Sequence, residues 1–178
     1  IKNLKDLIKR KQADLIVVGR QESPSFLEKW LGTRTTTIAD ATNIPTLVVP
    51  KDFSFSRFQN VLHHIELKGR DMGKLKKTIK FVKPFNANVT ASFFDTDEQY
   101  IVFEKRTNLL NRIARYPKLE FEYHSVNNIK TSLNTLAQEK NIDLIAMNYK
   151  DDNIVSRLFH NDYSDNIILS LDLPFFVY

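Results

Sequence analysis

Apolar residues along this chain alternate between two spacings. Ile1, Leu4, Leu7 and Ile8 recur at helical intervals with lysines on the other face, which predicts an amphipathic helix over residues 1–12. The run from Ala13 to Val18 is nearly continuous and rich in valine and isoleucine, as suits a parallel strand covered on both faces by helices. Gly19 ends it. Ser25 caps the next helix, and Glu28 three residues later completes a capping-box pattern. Phe26, Trp30, Ile38 and Ala41 give that region its buried side, and Gly32-Thr33 breaks or bends it. Ile44–Val49 is the next strand, with Pro45 near its start, where a missing N–H is tolerated. Two parallel strands joined by a helix make a right-handed βαβ unit.

Pro50 to Arg57 is polar and punctuated by proline and serine, as a linker would be. A fresh alternation follows. Strands are expected at Phe58–Leu67, Asn88–Phe94, Leu119–Val126, Ile142–Met147 and Leu173–Tyr178. Between them lie a helix over Asp71–Val82 with Met72, Leu75, Ile79 and Val82 on one side, and a long helix capped by Asp95 or Thr96. The long helix carries Ile101, Leu109, Leu110 and Ile113 and stops before Pro117. Two more helices are expected, Ile129–Lys140 and Asn153–Leu171. This order predicts a doubly wound α/β fold with a five-stranded parallel sheet, plus a partial βαβ copy ahead of it.

The partial copy is related to the end of the chain. A shift of 129 positions carries Leu4 onto Leu133, Asp14-Leu15-Ile16 onto Asp143-Leu144-Ile145, Trp30 onto Phe159, Pro45 onto Pro174 and Val48 onto Val177, without a gap. A period this long reads as a duplicated domain rather than a solenoid of short repeats. The expectation is two units, residues 1–52 as the last part of a first domain and residues 53–178 as a complete second one. Because the chain opens on Ile1 inside a helical pattern, sequence is expected to precede it.

Composition narrows the function classes. With no cysteine, disulfides, thiolate metal sites and cysteine nucleophiles are excluded. The longest apolar runs have strand length, far short of a membrane span, and no membrane partner is expected. The net charge of +5 permits an anionic partner without demanding one. Lys68 to Lys83 is the most basic stretch, but its charges alternate with Met72, Leu75, Ile79 and Val82 and lack interleaved aromatics. The stretch therefore reads as a solvated helix face, and nucleic acid is not an expected partner. His63 and His64, adjacent in a strand, point to opposite faces and do not share a metal. His124 and His160 lack ligands at metal spacing. Asp151-Asp152 reads as a solvated loop, and Ser23, Ser25 and Ser156 lack a nucleophile-elbow context. Neither a metal nor a catalytic constellation is expected, and the reading is of a non-enzyme.

The stretch from Leu15 to Val49 resembles the universal stress protein family. Its members carry a strand, Gly-x-x-Gly, nine residues and Gly-Ser/Thr before a helix and closing strand. Here LIVV runs into Gly19-Arg20-Gln21-Glu22, nine residues follow, then Gly32-Thr33, and Ile44–Val49 resembles the closing strand. The resemblance implies a nucleotide-binding α/β fold of the adenine-nucleotide alpha hydrolase type. It makes Gly19, Arg20, Gly32 and Thr33 the candidate phosphate site, with ATP or AMP as ligand. Glu22 stands where the second glycine belongs, adding bulk and negative charge. In the second copy Asn148, Asp151 and Asn161-Asp162 replace the glycines and threonine, and Glu66 aligns with the family's first-strand aspartate. The plainer reading of Gly19, Gly32 and Thr33 is as inherited turn residues, with no cofactor. The resemblance further implies pairing through the last strands, 44–49 and 173–178, in a homo-oligomer, a dimer above all, or between the copies of one chain. It implies a cytoplasmic stress-response role without catalysis.

Overall fold

The computed structural model describes residues 2–19, 44–67, 71–95, 99–126, 129–148 and 173–178. Helix α1 spans Lys2–Lys11 and strand β1 Ile16–Gly19; β2 is Thr46–Val49 and β3 Asn60–His64. Helix α2, Asp71–Val82, runs into a short 3-10 turn, Lys83–Phe85. Strand β4 (Asn88–Asp95), helix α3 (Tyr100–Ala114), strand β5 (Leu119–Ser125), helix α4 (Ile129–Glu139), strand β6 (Leu144–Met147) and strand β7 (Phe175–Val177) complete the order. The expected helices after Ser25 and over Asn153–Leu171 lie outside the described residues.

All seven strands form one sheet in the order β1-β2-β7-β6-β3-β4-β5. Every neighbouring pair is parallel except β2 and β7, which run antiparallel. From β3 to β7 the sheet is therefore the expected five-stranded parallel one. Side chains alternate between its faces. Leu62, Ile145, Met147, Phe175 and Val177 pack with α4 residues Leu133 and Leu136 on one face. On the other, Val61, Val89, Leu144 and Phe176 pack with α2 residues Leu75, Ile79 and Val82.

The 129-position offset recurs in the backbone. Ile16 pairs with Thr46 and Ile145 with Phe175, the same register one repeat on. The Ile16 N–H donates to Pro45 O at 3.0 Å, and the Ile145 N–H to Pro174 O at 3.1 Å. Both preceding helices end on a residue with φ of 50°, Gln12 and Asn141, a left-handed stop. Between the halves, Leu47 stands opposite Phe176, its own counterpart in the repeat.

Two expectations change. The cap of α3 is Gln99, since Asp95 is the last residue of β4; its side chain makes no capping bond. And α3 buries Phe103, Thr107 and Leu110, leaving Ile101, Leu109 and Ile113 exposed. Phe103 decides this, because its ring joins Phe93 and Tyr123 at centroid distances of 6.4 and 5.5 Å.

Candidate functional site

In an open parallel sheet, ligands sit at the carboxyl ends of the strands where successive connections leave in opposite directions. Here that point lies between β3 and β6: β3 leads toward β4 and β5, whereas β6 leads the other way to β7. The chain beyond β3 brings Glu66 to this crevice, and the start of α2 brings Asp71 and Lys74. The three are locked together. The Lys74 ammonium donates to Glu66 Oε1, with side-chain exposures of only 15% and 4%. The Glu66 N–H donates to Asp71 Oδ1 at 3.2 Å. Asp71 Oδ2 is buried with no hydrogen-bond partner among the described residues, and burial raises this carboxyl's pKa.

A phosphate cradle needs free N–H donors and net positive field. At this crevice the backbone donor of Glu66 and the Lys74 ammonium are already engaged by carboxylates. Glu66 holds the place predicted for an acid facing a nucleotide, but its described contact is with Lys74. Sequence reasoning missed that partner. The only available signal was a lysine at the third position after Asp71, on the first turn of α2.

Of the predicted phosphate residues, the structure describes Gly19. It ends β1 and is exposed, and a Cβ added there would meet nothing within 4 Å. Close packing therefore does not demand glycine at this position. Arg20, Gly32 and Thr33, like Glu22, lie outside the described residues, as do Asp151 and Asn161-Asp162. Asn148 directly follows β6 and is half-buried.

The two strand histidines part as predicted. His63 is fully buried on the α2 face, its Nδ1 2.9 Å from Thr78 Oγ1 and 3.2 Å from the Tyr178 hydroxyl. Burial, helped by His64 and Lys74, lowers its pKa to about 3, so it is neutral. Tyr178 is held well above its ordinary range by burial. His64, on the other face, lies against the Phe94 ring. Among the described residues no group of three metal-ligating side chains forms.

A second polar region lies at the opposite, amino ends of the strands. Thr90 donates to Glu120 at 2.7 Å, and Lys140 bridges Glu120 and Glu122 at 3.1 and 2.5 Å. The Thr90 bond, with help from Lys140, holds the Glu120 carboxyl below its ordinary value. A cavity of about 390 Å³ opens there, lined by Asn60, Asn88, Thr90, Lys118, Glu120 and Lys140 among others. No sequence motif marks it, since its lining comes from strand starts far apart in the chain.

A universal stress protein from Archaeoglobus fulgidus DSM 4304 superposes with a TM-score of 0.62 at 16% identity; the match covers 98% of this chain and 64% of that one. The fold is the universal stress protein fold. A universal stress protein in complex with cAMP matches with a TM-score of 0.50 at 16% identity, over 69% of this chain and 98% of its own. The universal stress protein from Archaeoglobus fulgidus in complex with dAMP matches with a TM-score of 0.53 at 11% identity, over 68% and 98%. No protein-family model matches the sequence. Nor does any curated protein. The universal stress protein fold places the β3–β6 crevice at its switch point, and that crevice is where Glu66, Asp71 and Lys74 are locked. No helix of the described residues is long and apolar enough to cross a membrane.

Proposed function

We propose that this chain is a universal stress protein-like, non-enzymatic regulator of a cytoplasmic stress response, with a degenerate nucleotide motif. The observation that carries the reading is the Glu66–Lys74 pair with Asp71 beside it: the Lys74 ammonium and the Glu66 N–H, the donors a phosphate would need at the switch point, are each taken by a carboxylate. The chain would be a tandem of two units, residues 1–52 and 53–178. Two facts support this. The pairing register repeats across the 129-position offset. And the Asp143 carboxylate accepts the N–H groups of Gln59 and Asn60 at 2.6 and 3.3 Å, whereas its counterpart Asp14, just ahead of the edge strand β1, has an 88% exposed side chain. A homodimer through edges 44–49 and 173–178 would exchange the antiparallel β2–β7 pair between two chains.

The second reading is an adenine-nucleotide sensor using Gly19, Arg20, Gly32 and Thr33 of the first unit. It draws on the open, exposed end of β1 at Gly19 and on the nucleotides held by structures of this fold. Calorimetry with ATP and AMP separates the two readings. The regulator reading expects no saturable heat in the micromolar range; saturable binding overturns it. Glu22→Gly is expected to create or tighten binding only if the loop is a handicapped site.

A further inference from the structure

Five of the eight large apolar side chains exposed among the described residues lie on one helix, α3: Tyr100 (54%), Ile101 (67%), Val102 (44%), Leu109 (54%) and Ile113 (44%). Scattered exposed apolar residues are ordinary, but a concentration on one element marks a contact surface. Val102, Leu109 and Ile113, spaced by seven and four, form one stripe along the helix. The stripe is separate from the buried face of Phe103, Thr107 and Leu110. By the same spacing Lys105 and Arg112 border it on one side and Arg106 on the other, all exposed.

The neighbouring helix extends the charge. The crossovers β3–α2–β4 and β4–α3–β5 step the same way across the sheet, so right-handedness puts α2 and α3 on one face. Arg106 acts on the Asp71 carboxyl, so its flank of the stripe leads onto α2. There Lys76, Lys77 and Lys80 are exposed, followed by Lys83 in the 3-10 turn. Lys80 lies 3.8 Å from Asp14. On α2 and α3 the exposed acid is Glu104, on the side of α3 away from the stripe.

We propose that this two-helix face docks on an anionic phospholipid surface, with α3 lying in the headgroup plane. A stripe of aliphatic side chains bordered by cations is the composition of a helix that lies on, rather than through, a membrane. Clusters of four to eight lysines and arginines on such a helix recognise acidic headgroups. The partner is planar rather than a single helix, because the cations spread over α2 as well as α3, beyond the footprint of one acidic helix on the stripe. A second copy of the same face would set like charges opposite each other. Such docking needs no membrane-spanning helix, and among the described residues none is long and apolar enough to be one.

Co-sedimentation of the full chain with vesicles tests this. Phosphatidylcholine–phosphatidylserine vesicles should pellet the protein at low salt and release it as salt rises, and pure phosphatidylcholine should not pellet it. Lys105→Ser/Arg112→Ser should weaken binding about thirtyfold, and Leu109→Ser/Ile113→Ser about tenfold or more. All four side chains are exposed, so circular dichroism melts should be unchanged. Failure to pellet with folded protein overturns the proposal, as does equal binding to both vesicles or indifference to both pairs of substitutions. Saturable binding to a Glu-rich amphipathic peptide, with vesicles ignored, would transfer the face to a protein partner.

Discussion

His63 stores a pH dependence in the core. In the unfolded chain its imidazole titrates near ~6.5. In the fold, burial holds it at about 3. Between those values the unfolded chain binds a proton that the folded one refuses. The stability this neutral ring contributes is therefore present above pH 6.5 and lost as pH falls toward 3, at up to about 1.4 kcal/mol per pH unit. His124, lowered first by burial, acts in the same direction. His63→Gln should flatten the fall of urea midpoint between pH 6.5 and 4; an unchanged slope would place the acid sensitivity elsewhere. The sequence showed that the two histidines part across the strand, because strand periodicity is strict. It did not show Thr78 and Tyr178 meeting at Nδ1, because those contacts cross from β3 to α2 and to the residue after β7. The same applies to Glu66: its position was legible, but its closure by Lys74 depends on how the chain turns between β3 and α2.

Among the elements, strands were read more reliably than helix faces. β6 and β7 are short apolar runs buried on both sides, and such runs admit few other placements. Helix α3 was read less well because apolar residues occur around most of its circumference. Which of them is buried was settled by the Phe93–Phe103–Tyr123 ring cluster, not by spacing. The repeat also distinguishes equivalent strands. Val17 of β1 is 60% exposed, whereas its counterpart Ala146 in β6 is fully buried, because β6 has β3 on its far side. Strand β7 joins the halves, and Phe176 is its anchor: 1% exposed and stacked on Phe81 at 4.6 Å. Phe176→Ala should cost about 3–5 kcal/mol in urea unfolding. A loss below 1 kcal/mol would show that the β2–β7 junction relaxes around the gap.

At the scale of the whole molecule, the antiparallel pair gives the sheet a local pseudo-twofold. Thr46 faces Val177 and Val48 faces Phe175, while Leu47 meets its own counterpart. With both edges occupied inside one chain, the protein should run as a monomer in light scattering at micromolar concentration. If a dimer forms by exchange of this pair, its dissociation should be slow and should require β2 to leave β7; a rapidly equilibrating dimer would point to a different surface. The position of β7 also has a kinetic consequence. It carries the last strand residues of this sequence, yet it sits inside the sheet, between β2 and β6. During synthesis β2 must wait, with its edge uncovered, for a partner more than a hundred residues later. Long-range pairings of this kind are slow to form and leave strand edges open to wrong partners meanwhile. The stage of this protein's life most in need of a chaperone is therefore the interval between the appearance of Val48 and that of Phe175.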